Sequence, residues 1–130
     1  MKKIIAMILI ACSVYANSID EGKGLMNEAK YVEAGDFFMD LYLKDNVESN
    51  SYLGELYAYR FNDIADHCNV AAYFLFQGLA EGDCRSALII SNMYKDSICK
   101  KESNLESKYK EKEDKYMGIY RKCLTNKGEK

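Results

Sequence analysis

Apolar side chains recur at helical spacing along almost the whole chain. No segment alternates strictly between apolar and polar residues and proline is absent, so the pattern predicts helices and no sheet. A first helix is expected from about Ile19 to Lys30, weakened by Gly22 and Gly24. A second runs from about Tyr31 to Leu43, with Ala34, Phe37, Phe38, Leu41 and Tyr42 on one broad face. Asp45-Asn46 breaks it. Ser49 or Asn50 is placed to cap a third helix, which carries Tyr52, Leu53, Leu56, Tyr57, Tyr59 and Phe61 and fades near Ala65. Asn69 should cap a fourth, Val70 to Glu81, whose apolar residues nearly surround it, so it is expected to be central and buried on most sides. Gly82 ends it. Asp83 caps a fifth, which continues to about Tyr94. A last helix, about Ser103 to Leu124, is charged except for a narrow stripe of Leu105, Tyr109, Tyr116, Ile119, Tyr120 and Cys123, and so packs on one side only.

The N-terminus stands apart from this pattern. Lys2 and Lys3 precede the uncharged apolar run Ile4 to Ala11, and Val14 and Ala16 occupy the −3 and −1 positions of a cleavage site. That order is a secretory signal over 1–16, with an apolar stretch too short to cross a bilayer core of about 30 Å. Leu9-Ile10-Ala11-Cys12 also resembles a lipobox, which would lipidate Cys12 and anchor the protein in the envelope membrane. Position 12 is early for that, and cleavage after Ala16 is favoured. Either route implies export, to a bacterial periplasm in the first case.

Cleavage after Ala16 leaves 17–130, enough for a single helical domain with a modest core. The remainder carries 16 basic and 20 acidic residues. Such an acidic balance provides no electrostatic footprint for nucleic acid or an anionic membrane. The lysines between Lys100 and Lys130 alternate with acids and read as a solvated helix face.

Two segments align 37 residues apart: Ala34 with Ala71, Phe37 with Phe74, Asn46 with Asp83, Leu53 with Ile90, Leu56 with Met93 and Tyr57 with Tyr94. A period of this size with small residues at crossings and a closing aromatic reads as a short α-solenoid of helix pairs, with units at about 31–59 and 68–96 and a capping helix at about 103–124. Ala71-Ala72-Tyr73-Phe74, Gly78-Leu79-Ala80-Glu81-Gly82-Asp83, Ser86-Ala87-Leu88 and Ser91-Asn92-Met93-Tyr94 together resemble one Sel-like repeat, a relative of the tetratricopeptide repeats. The earlier unit is similar through Ala34, Phe37, Leu53-Gly54 and Leu56-Tyr57. Ser91 stands where that family usually has glycine. The resemblance implies a scaffold that binds other proteins; some cysteine-rich members are linked to β-lactam binding or hydrolysis.

Four cysteines survive processing by either route: Cys68, Cys84, Cys99 and Cys123. They lack Cys-x-x-Cys or zinc-site spacing, so structural disulfides are expected and no metal or cofactor is. Cys68 and Cys99 lie at adjacent ends of an antiparallel fourth and fifth helix. Cys84 starts the fifth helix and Cys123 ends the last, which meet if the last helix folds back. The expected pairs are therefore Cys68–Cys99 and Cys84–Cys123, each worth roughly 3–4 kcal/mol in the chain-entropy model.

No catalytic constellation emerges. The single histidine, His67, adjoins Cys68, but neighbouring residues are expected to point apart, a disulfide would consume the thiol, and Asp66-His67 falls in a predicted loop. Acidic residues such as Glu28, Glu33, Asp36, Asp40, Glu48 and Glu55 are scattered, without a distinguished pair. Tyrosine is abundant, and Tyr52, Tyr59 and Tyr73 near helix edges are candidate partner-binding anchors, although most tyrosines of a repeat fold are core. The expected function is an exported, non-enzymatic protein-binding module or adaptor. The alternatives are a periplasmic inhibitor or immunity protein against a toxin or hydrolase and, third, a β-lactam-binding or hydrolysing protein.

Overall fold

The computed structural model describes residues 19–99 and 106–128; the expected signal segment over 1–16 with its expected cleavage after Ala16, Cys12, Ser103 and Leu105 lie outside them. The described residues form six helices and no strand: α1 (19–27), α2 (Tyr31–Leu43), α3 (Ser49–Tyr59), α4 (His67–Ala80), α5 (Cys84–Lys95) and α6 (Glu106–Asn126). None of the described helices is long and apolar enough to cross a membrane. The chain divides into two compact units at Asp45 and Asn46. The first repeat as read from the sequence runs across that division, and the second falls within the later unit.

In the first unit, α1 stops before Lys30, earlier than its apolar spacing suggests. Ala29 takes a left-handed backbone (φ 62°), and the Lys30 and Ala29 amides turn back to the carbonyls of Leu25 and Met26, closing the helix as a C-cap does. Gly22 is needed where it stands: a Cβ there would come within 2.5 Å of the Phe38 ring, which α2 buries completely. α2 spans the expected residues to Leu43, and just beyond its end Asp45 is also left-handed (φ 63°), a conformation that aspartate tolerates better than most residues. Phe37, expected on the buried face, is 41 % exposed, because only Ala34, Phe38 and Leu41 of this helix are fully covered.

The second unit is an antiparallel arrangement in which α4 lies against α3 and α5, α3 also touches α5, and α6 returns along α5. Its start differs from expectation. Asn46, three residues ahead of α3, does the capping: its Oδ1 accepts from the Ser49 amide (3.2 Å) and its carbonyl accepts from Ser49 Oγ (2.6 Å). Asn50 is buried inside the helix, donating from Nδ2 to the Val47 carbonyl. α3 also ends at Tyr59 rather than near Ala65, because the amides of Arg60 and Phe61 both turn onto the Leu56 carbonyl. Phe61 leaves the helix yet still packs edge-on against Tyr57 (5.2 Å), whose ring stacks on Phe74 (6.0 Å).

Leu75, Ile89 and Ile90 form the centre of the core, with Leu79, Met93, Tyr94 and Tyr116 packed around it. Close approach of α3 and α4 relies on Gly54, where the Leu75 side chain occupies the space a Cβ would need. α4 is central, but the expectation that it is buried on most sides fails: Tyr73 is 61 % and Phe76 47 % exposed. Only Ala71, Phe74, Leu75 and Gly78 of α4 are fully buried, since α3 and α5 cover one broad side and leave the other open.

Two disulfides staple this unit, Cys68–Cys99 and Cys84–Cys123, the two pairs expected from the helix ends. The first ties the start of α4 to the segment after α5; the second ties the start of α5 to the last turns of α6. Along α6 the Tyr116 ring stacks on Tyr94 (5.9 Å), and Ser91 Oγ donates to the Glu113 carbonyl (2.8 Å). From the exposed side Lys110 reaches both the exposed Asp114 and Glu113, whose side chain is mostly covered on the packed face.

Candidate functional site

Because α4 alternates between neighbours that cover it and solvent, its sequence places aromatics on an open face. Tyr73 and Phe76 are three residues apart and so share that face. Beside them a pocket of about 200 Å³ opens between α4 and α5. Ala72, Phe76, Met93, Tyr94 and Ile98 line it, with the Cys68–Cys99 disulfide at one end. Phe76 meets Tyr116 edge-on at 6.2 Å, so the α6 stripe supports the pocket's far wall. Burial first, then the neighbouring Tyr94, raises the Tyr116 phenol above its ordinary range, and the charge of Lys112 opposes the rise.

A second, more polar pocket of about 330 Å³ lies where the N-terminal ends of α3 and α5 meet the end of α6. Its centre is Arg85. Nη2 donates to Glu55 Oε2 at 2.6 Å, Nη1 to Ser51 Oγ at 3.3 Å, and the guanidinium lies 4.0 Å over the Tyr52 ring. Tyr52 and Glu55 are one helical turn apart on α3, which lets one arginine engage both. Asp83 lines the same pocket, 7 % exposed, and accepts from Ser86 Oγ at 3.0 Å. Burial pushes its carboxyl above the usual range, and hydrogen bonds from Ser86 and Ser51 and the charge of Arg85 oppose that rise.

The three tyrosines singled out from the sequence have different surroundings. Tyr52 is half-buried under Arg85, and Tyr59 is half-buried with its hydroxyl on Asp96 (2.7 Å). Tyr73 is largely exposed, next to the exposed Phe76.

His67 also departs from expectation. It opens α4 rather than lying in a loop, and it is half-buried. Its Nδ1 lies 2.9 Å from the Tyr57 carbonyl oxygen, and its ring sits against Cys68 Sγ, with Nε2 at 3.6 Å. The two side chains therefore do not point apart. The carbonyl draws the imidazole back across the first turn, an effect that no local spacing encodes.

No family model matches the chain, and no curated protein or solved structure does either.

Proposed function

We propose that the protein is an exported, non-enzymatic binding module that recognises a protein partner through the open aromatic face of α4 and the adjoining apolar pocket. The observation that carries this reading is the exposure of Tyr73 and Phe76 beside a pocket lined by Ala72, Met93, Tyr94 and Ile98. Adjacent exposed aromatics at the rim of an apolar cleft suit a partner segment with an apolar anchor residue, such as a leucine- or phenylalanine-bearing peptide. Two disulfides are consistent with an exported protein. The secretory signal over 1–16, with lipidation at Cys12 as its alternative, and a periplasmic location belong to the same proposal.

A Sel-like arrangement of repeats also belongs to it. Supporting it, α3 and α5 contact each other, and the Tyr59–Asp96 bond joins positions 37 residues apart, the period of the sequence repeat. Such scaffolds present a helix face to partners, and here α4 would be that helix.

The test is photo-crosslinking in the cell envelope from a reactive residue at position 73 or 76, with the same residue at Lys122 on α6 as a control. A discrete adduct from 73 that is lost on Phe76→Ala, and one from 76 that is lost on Tyr73→Ala, with both disulfides still formed, supports the reading. Equal adducts from all three positions, or none from 73 and 76, would overturn it.

A further inference from the structure

The two disulfides have unlike surroundings. Cys84 is almost fully buried, whereas Cys68 and Cys99 are both partly exposed, as is His67 beside them. His67 is the chain's single histidine, so only one of the pairs has an imidazole at hand.

The Tyr57 carbonyl can only accept, so the nitrogen 2.9 Å from it, Nδ1, carries the ring proton. That leaves the Nε2 lone pair free, at 3.6 Å from Cys68 Sγ. A histidine that donates one ring N–H to a backbone carbonyl and offers the other nitrogen is held as metal-binding histidines are. Zinc bonds of about 2.3 Å to sulfur and about 2.05 Å to nitrogen at a tetrahedral angle place the two donors about 3.6 Å apart. The Nε2–Sγ separation is the same, but Nδ1 lies 3.8 Å from that sulfur too, so Sγ sits beside the ring and not along the Nε2 lone pair. One ring nitrogen of His67 and the sulfurs of Cys68 and Cys99 lie within 4.8 Å of one another. To share one ion the sulfurs must part, to about 3.8 Å, and the imidazole must turn its Nε2 lone pair toward them.

We propose that reduction of the Cys68–Cys99 disulfide converts this corner into a Cys2His site that binds one Zn²⁺ through His67 Nε2 and both thiolates. A dithiol reductant supplies two electrons and two protons: the S–S bond breaks, Cys68 and Cys99 become thiols, and the reductant becomes a disulfide. Zn²⁺ then displaces both thiol protons to solvent and forms two Zn–S bonds and one Zn–N bond, with water as the fourth ligand. The oxidised pair has no thiolate to offer, so metal binding is gated by redox state. The site stands whether or not the α4 face binds a partner.

The experiment uses the folded full chain, reduced with a phosphine so that no added thiol competes, and titrated with Co²⁺ and then Zn²⁺. The reduced protein should develop a thiolate-to-cobalt charge-transfer band saturating at one ion per chain, and Zn²⁺ should abolish it. The oxidised protein should show none. Bound metal should protect Cys68 and Cys99, and not Cys84 or Cys123, from alkylation. His67→Ala and His67→Gln, each checked for native helicity, should weaken cobalt binding at least about tenfold. The proposal is overturned by a reduced protein without the band, by protection at Cys84 and Cys123, or by histidine variants that bind as tightly as the parent.

Discussion

The Tyr59 hydroxyl donates a 2.7 Å hydrogen bond to Asp96, tying the last residue of α3 to the residue that follows α5. Burial first, then this bond and the charges of Asp96 and Glu55, drive the phenol far above its ordinary range. A raised folded-state pKa means that this contribution to stability is fully present below the ordinary tyrosine range near pH 10 and is lost as pH climbs beyond it. Tyr59→Phe should cost about 1 kcal/mol at neutral pH, read from denaturant melts. Its melting temperature should also fall less than the parent's between neutral and strongly alkaline solution.

Arg85 holds three groups of α3 at once: Ser51, Tyr52 and Glu55. Lysine keeps the charge but has neither the fork nor the flat face. Arg85→Lys should therefore destabilise the protein by about 1–2 kcal/mol, nearly as much as Arg85→Ala. Equal stability of Arg85→Lys and the parent in thermal melts would show that the planar contacts contribute nothing.

At Gly54 the neighbouring Leu75 side chain fills the place of a Cβ. Gly54→Ala should destabilise by about 1–3 kcal/mol despite alanine's better helix propensity, because overpacking outweighs it. Leu75→Val in the same chain should recover part of the loss, and chemical denaturation of the double variant measures the coupling.

The disulfides should open in order. Cys68–Cys99 presents two partly exposed residues, while the other pair joins a partly exposed Cys123 to Cys84, which is 6 % exposed. Graded reduction followed by alkylation and peptide mass spectrometry should label Cys68 and Cys99 first, with Cys84 and Cys123 trailing until the unit unfolds. Replacing Cys84 and Cys123 with serine should cost about 2–5 kcal/mol.

Much of the helical layout follows from local pattern. The bounds of α2 match its apolar spacing, and α5 begins after Asp83 because the chain breaks at Gly82. The cysteine pairs followed from which helix ends an antiparallel arrangement brings together. Where helices stop was less legible. The ends of α1 and α3 depend on which carbonyl a terminal amide reaches, and the start of α3 depends on Asn46, three residues outside it. Those choices are nearly equal in local energy, and the surrounding packing selects one.

What the sequence alone determined is helical class, acidic balance and the cysteine pairing, since each depends on periodicity, composition or chain order. Tertiary structure decided which apolar residues remain uncovered. Phe74 and Phe76 are equally apolar on the same helix, yet one is 5 % and the other 47 % exposed. Only the positions of α3, α5 and α6 around α4 distinguish them. Tertiary structure likewise turned His67 toward Cys68, because the carbonyl that holds its ring belongs to Tyr57, ten residues earlier on another helix. Hydrophobicity is a property of a residue, but exposure and donor geometry belong to its neighbours.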